Sequence, residues 1–254
     1  MLVFFSILYN PETNALDNIR NAKKLGIFPI VYLNKVDNDN FINELNNIDI
    51  LILGDNNNVG LGQAFYELEK YLSSVDLKYF IYFDQDTKVD ISTWLNILNT
   101  FENLFKNTAV GLLYYGQNIQ TNSRLVTSSG CLFSLKILNE IGFHDKSYFV
   151  EGVDYEFCLR LNTFGYKILS IQSKGIDHQS LQDGFKVNFL FKMINLRIYG
   201  KSRTIDFNLS HKRLLRQSVA NYNFKIFVFL LKSFVRHNIM EFISSKLYKY
   251  KKCY

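Results

Sequence analysis

The chain has 254 residues, 48% of them apolar and 20% charged, which excludes a disordered or fibrous protein and suffices for one large domain or a domain with an appendage. The net charge of +6 hides a division: residues 1–184 hold 14 Lys/Arg against 21 Asp/Glu, whereas residues 185–254 hold 15 against only Asp206 and Glu241. No apolar run approaches the roughly 20 residues of a membrane span, and the opening MLVFFSILYNP lacks the basic start of a signal peptide, so a cytoplasmic setting is expected.

Leu2 to Leu8 is predicted as a buried strand, followed by a helix over 14–25 in which Leu16, Ile19, Ala22 and Leu25 share a face before Gly26 stops it. Strands are predicted at 27–33 and 48–53, and a helix over 64–72 leads to a strand at 79–83. This alternation predicts an α/β fold with a doubly wound, mostly parallel sheet flanked by helices. Further on, 94–105 reads as an amphipathic helix, 110–115 as a strand and Cys131-Leu132-Phe133 as a short apolar one. A helix over 153–164 should bury Val153, Phe157, Leu161 and Phe164, and 167–171 should be a strand. Cys131, Cys158 and Cys253 are odd in number and lack paired spacing, so neither disulfides nor a zinc site is expected.

The run YFIYF stops at Asp84-Gln85-Asp86. Carboxylates at a strand's C-terminal end lie where open α/β sheets bind ligands, and alternation along an extended chain would aim Asp84 and Asp86 at one hard cation. The alternative is a polar turn. Glu151, Asp154 and Glu156 surround the start of a helix, where carboxylates are favoured electrostatically; Glu156 and Arg160 can pair at i,i+4, while Asp154, opposite the apolar stripe, can face the cleft as a general base. His178 follows a strand and is either an ordinary surface histidine or a third metal ligand.

Tyr9-Asn10-Pro11 after the first strand, Asn58-x-Gly60-x-Gly62-x-Ala64 after the third, the D-Q-D triplet, and E-x-x-D-x-E-x-C-L-R with a later His occur here in one order. Over about residues 3–180 the sequence resembles the family 2 nucleotide-sugar glycosyltransferases of the GT-A fold, and within them the bacterial rhamnosyltransferase-like branch. The resemblance implies an inverting transfer from a nucleoside-diphosphate sugar, rhamnose favoured and a UDP-sugar next, to a glycan or lipid-linked glycan hydroxyl in surface polysaccharide synthesis. It implies that Asp154 is the catalytic base, with Glu151 and Glu156 in reserve. Asp86 and His178, with Asp84 as a further candidate, would hold Mg2+ or Mn2+. Tyr9, Asn10, Pro11, Asn34, Asn58, Gly60, Gly62 and Asp84 would bind the donor. The sequence departs from the family pattern at Leu33, where a carboxylate is usual, and at Phe65, where Asn is usual. These departures keep open an alternative, a catalytically silent GT-A-like module that binds a partner.

Residues 1–184 are thus expected to form the catalytic domain and 185–254 a basic helical region. That region interleaves Phe, Leu and Ile with Lys and Arg, so it either lies on the inner face of the cell membrane or packs on protein, including a second copy of the chain. No nucleic-acid module accompanies the charge.

Overall fold

The computed structural model describes residues 1–104, 110–117, 124–178, 185–189, 192–196 and 200–251. The chain forms two compact units, Met1–Gln179 and Ser180–Tyr254.

In the first unit, β1 (Leu2–Leu8), α1 (Ala15–Lys24), β2 (Phe28–Leu33), α2 (Asp39–Asn46), β3 (Leu51–Leu53), α3 (Leu61–Ser74) and β4 (Tyr79–Tyr82) form the predicted alternation, with α2 added. There follow β5 (Thr87–Val89), α4 (Ile91–Leu104), β6 (Val110–Gly116), β7 (Cys131–Ser134), α5 (Leu135–Ile141), α6 (Val153–Thr163), β8 (Lys167–Gln172) and β9 (Ile176–His178). Among the described residues, seven strands make one sheet in the order β3-β2-β1-β4-β7-β6-β8. All run the same way except β7, antiparallel to both β4 and β6, so the sheet is mixed. A separate two-stranded ribbon pairs β5 with β9.

Every residue of β1 is buried, because the strand is central and both faces are covered. Leu2, Phe4 and Leu8 join the core on the α1 side, where Phe4 and Phe83 meet Trp94 of α4 edge to face at 5.3 and 5.4 Å. Phe5, Phe80 and Tyr82 point the other way, toward Phe65 of α3. The β-strand period of two thereby assigns successive aromatics to opposite layers. Phe65 is therefore a core residue at 0% exposure, stacked on the His144 ring at 4.4 Å.

Two expectations are corrected here. Phe164 is 53% exposed, and α6 buries Glu156, Cys158 and Leu159 beside Val153, Phe157 and Leu161, so it has no single apolar stripe. The helix is enclosed on most sides, and its end at Thr163 releases Phe164 to solvent.

Gly130 joins the strands at the site end of the sheet. Its N–H donates to Tyr82 O and its carbonyl accepts from Tyr115 N, both at 2.8 Å, with φ at +88°. A Cβ there would sit 2.2 Å from Tyr115 O. Gly130→Ala is expected to destabilise the fold by about 1–3 kcal/mol, read as a lowered urea midpoint. An unchanged midpoint would refute this account of the turn.

In the second unit, β10 (Phe185–Phe189) and β11 (Lys192–Leu196) form an antiparallel hairpin before α7 (Lys201–Ala220) and α8 (Phe224–Lys251). The region expected to be basic and helical thus opens with a hairpin, whose first strand alternates with a period of two. Phe207, His211 and Leu214 of α7 and Ile226 and Leu230 of α8 are buried. The Phe207 ring stacks on both His211 and His237 at 3.7 Å, and Asn238 donates to Asn208 at 3.0 Å. Burial holds the His211 imidazole down to about 4, which keeps this seam uncharged at neutral pH.

Candidate active site

The parallel strands β1, β2 and β4 all end at one edge, so the segments following them gather there. Asp84 lies beyond the end of β4, and the backbone turns at once, Thr87 N donating to Asp84 O at 3.0 Å. A turn, rather than the extended alternation expected, therefore brings Asp84 and Asp86 together. Thr87 pairs with His178 across the β5–β9 ribbon, and its hydroxyl lies 2.8 Å from His178 Nδ1. That nitrogen is 3.6 Å from Asp86 Oδ1. Asp84, Asp86 and His178 each offer a ligand atom, all within 4.8 Å of one another.

Burial raises the Asp84 carboxyl, and Asp86 adds to the rise, whereas the Tyr82 hydroxyl at 2.6 Å and His178 oppose it. Burial also raises Asp86 against the pull of His178. Two crowded carboxylates pushed toward protonation, beside an imidazole, suit a divalent cation that would relieve their repulsion. The oxygen-rich donor set with one nitrogen fits Mn2+ or Mg2+ better than a soft metal.

Asp154, in the first turn of α6, shares with Asp84, Thr87, Ser129 and His178 a cleft of about 290 Å³. Ser128 donates its hydroxyl to Asp154 Oδ1 at 2.5 Å. Burial pushes the Asp154 carboxyl up to about 6; the Ser128 bond opposes this, the Asp84 charge reinforces it, and His144 opposes it. Ser129 accepts from Asp84 N at 3.0 Å and meets Thr87 Oγ1 at the same distance. Adjacent serines thus serve opposite walls, one holding the proposed base and the other the D-Q-D turn. These bonds were not legible in the sequence, since each partner lies more than 25 residues away.

The segments after β1 and β2 are tied together. Gln85 accepts from Tyr9 N at 2.6 Å and donates to Tyr9 O at 2.9 Å. Asn10 donates to Asp37 at 2.9 Å, and Asp37 N donates back at 2.8 Å. An exposed carboxylate therefore stands in this loop despite the apolar Leu33, four positions later than the family pattern places one. Pro11 is buried beside them.

Asn34 accepts from Val59 N at 2.7 Å and Gly60 N at 3.2 Å and donates to Asn58, which holds the glycine segment against β2. A Cβ on Gly60 would lie 2.5 Å from Phe149 O, and one on Gly62 would lie 2.3 Å from Tyr148 O. Both glycines are accounted for by this chain's own backbone. Arg160 binds both Glu156 oxygens, at 2.9 and 2.8 Å, and Glu156 is 4% exposed. Glu151 is half-buried one residue before the Gly152 that precedes α6. Cys131 and Cys158 are buried free thiols, and burial pushes Cys158 up to about 12.

Behind the cleft lies a pair with no sequence signal. His144 and Glu69 are fully buried, hydrogen-bonded through His144 Nδ1, with His144 N donating to Glu69 Oε2 at 2.8 Å. Phe65 and Phe157 sandwich the imidazole at 4.4 and 4.5 Å.

No known protein-family profile matches the chain, and no curated protein does. Solved structures do. The S. aureus TarS 1-349 crystal structure aligns at TM-score 0.55 and 12% identity over 85% of this chain and 64% of that one. The S. aureus TarS structure aligns at 0.61 and 9% over 93% and 43%. TarS 1-349 in complex with UDP-GlcNAc aligns at 0.55 and 11% over 85% and 66%. This chain spans less than two thirds of each of these relatives. At such identities the likeness is one of fold, and that fold is a GT-A-like α/β core with a mixed sheet.

Proposed function

We propose that this chain is an inverting glycosyltransferase that moves a sugar from a nucleoside diphosphate to an acceptor hydroxyl of a glycan or lipid-linked glycan. The observation that carries this reading is the convergence of Asp84, His178 and Asp154 on one cleft at the C-terminal edge of the sheet. The resemblance to family 2 transferases and the fold shared with TarS support the same assignment.

In this reading the two walls divide the work. Asp84, Asp86 and His178 would hold a divalent cation, which would supply charge neutralisation to the departing diphosphate. Asp154 accepts the proton of the attacking hydroxyl, and a carboxyl pushed up to about 6 is better matched to that task than an ordinary one near 4. The Ser128 hydroxyl donates to Oδ1 of Asp154 and so orients the carboxylate. Attack opposite the leaving group inverts the anomeric centre and needs no protein nucleophile. The resemblance favours rhamnose on a dTDP carrier. The UDP-GlcNAc complex of the structurally similar TarS gives a UDP-sugar equal standing.

Asp86→Ala is expected to abolish Mn2+-dependent binding of nucleoside diphosphate, measured by calorimetric titration, without lowering the melting temperature. Asp86 is not part of the core. Unchanged affinity would remove it from the site. Release of nucleoside diphosphate from dTDP- and UDP-sugars, with Mn2+ present, tests the reaction itself. Binding without release of any would favour the silent module.

A further inference from the structure

The second unit carries a surface that the transfer reaction does not use. Along α8, Phe224, Val228, Leu231, Val235, Ile239 and Phe242 are 40–64% exposed. Their spacings of 4, 3, 4, 4 and 3 keep them within one helical stripe, which over 18 residues extends about 27 Å. Lys225, Lys232 and Arg236 form an exposed basic row directly beside it. The inner side of the helix is already occupied, since Ile226 and Leu230 are buried. The apolar stripe is therefore distinct from the buried face of α8. Ile205 and Leu209 of α7, each 58% exposed, are followed on the same helical line by exposed Lys212 and Arg216.

We propose that this surface docks in the plane of a lipid bilayer bearing anionic headgroups, the apolar ridge of α8 entering the headgroup layer and the basic row pairing with lipid phosphates. Charge complementarity selects this occupant. Residues 180–254 hold 15 Lys/Arg against Asp183, Asp206 and Glu241, and neither described acid lies among the exposed residues. A second copy of the chain would bring two such surfaces together with nothing to alternate their charges. A nucleic acid would match the charge but leave Val228, Leu231, Val235 and Ile239 without an apolar partner. No helix among the described residues is long and apolar enough to cross a membrane, so the contact is interfacial. This inference stands or falls independently of the donor and acceptor proposed above.

The test is flotation of the full chain with phosphatidylcholine vesicles, with and without 30 mol% (about a third) phosphatidylglycerol. The expected result is binding that requires the anionic lipid and falls with salt, yet leaves a salt-resistant fraction. Replacing Lys225, Lys232 and Arg236 together by Ala should weaken it on the order of 10²-fold. Val235→Asp with Ile239→Asp should remove the salt-resistant fraction, while unchanged helical circular dichroism shows that the exposed changes leave the fold intact. Phe242→Trp supplies a second readout, a blue shift on adding vesicles, against the constant background of fully buried Trp94. Absent flotation with no Trp shift overturns the proposal, as does equal binding to neutral vesicles that neither variant alters. A lipid-free dimer broken by Val235→Asp would give the ridge to a second copy, and binding to RNA or DNA without vesicle binding would give the basic row to nucleic acid.

Discussion

Asp154→Asn is expected to lower turnover by about 10²- to 10⁴-fold while leaving nucleoside diphosphate affinity within about twofold. Asn is isosteric and its carbonyl can still accept from Ser128, so the substitution removes the proton-accepting oxygen and little else. The wild-type rate should rise with pH through about 6, because the carboxyl is a base only when deprotonated and burial has pushed it up to about 6. The same shift sets a second expectation of opposite sign. A carboxyl raised from 3.8 to about 6 binds its proton more tightly in the folded chain, so stability declines as pH climbs from about 4 to 6 and stays lowered above that. Two units correspond to about 3 kcal/mol, of which nearby solvent and cation would reclaim part. Asp154→Asn should therefore melt higher than wild type at pH 8, with the gain vanishing near pH 4. Turnover lost without this stability gain would mean a damaged site rather than a missing base. Near wild-type turnover would transfer the role to Glu151, since Arg160 already binds both oxygens of Glu156.

The largest stability effect is expected at His144. His144→Leu should cost about 3–5 kcal/mol in urea unfolding, because it leaves the Glu69 carboxylate in the core with only the backbone N–H of residue 144. Replacing both residues together, Glu69→Leu with His144→Leu, should recover much of that loss, since two apolar side chains leave no uncompensated charge. A double variant as unstable as the single one would point instead to the aromatic stacking of Phe65 and Phe157 on the imidazole.

Of the elements up to the D-Q-D triplet, β1 and β4 were legible as unbroken apolar runs and α1 by its period of 3.6, whereas the short α2 was not. The direction of β7 was not, since Cys131-Leu132-Phe133 is a short apolar run with no polarity along it. The hairpin of β10 and β11 had a readable signal in Phe185-Lys186-Val187-Asn188-Phe189, whose alternation the net charge of the region masked. Asp84, Asp86, Asp154 and His178 were named as candidates by residue type and order. What brings His178 to Asp86 is the pairing of Thr87 with His178 across 91 residues, and no local pattern encodes it. Glu69 and His144 lie 75 residues apart, so no local pattern pairs them.

The side chain of Gln85 presents an acceptor and a donor to the backbone of Tyr9, as a neighbouring strand would. β1 and β4 pair as parallel strands, with Phe83 N donating to Phe5 O at 3.2 Å. Beyond that point the chains diverge, and the amide of Gln85 adds one more rung. Glu at this position would supply no donor, and Asn is one methylene shorter. These two bonds tie the first loop to the carboxylate turn, so a donor bound against Tyr9 as proposed would find Asp84 and Asp86 held beside it by contacts made when the chain folded.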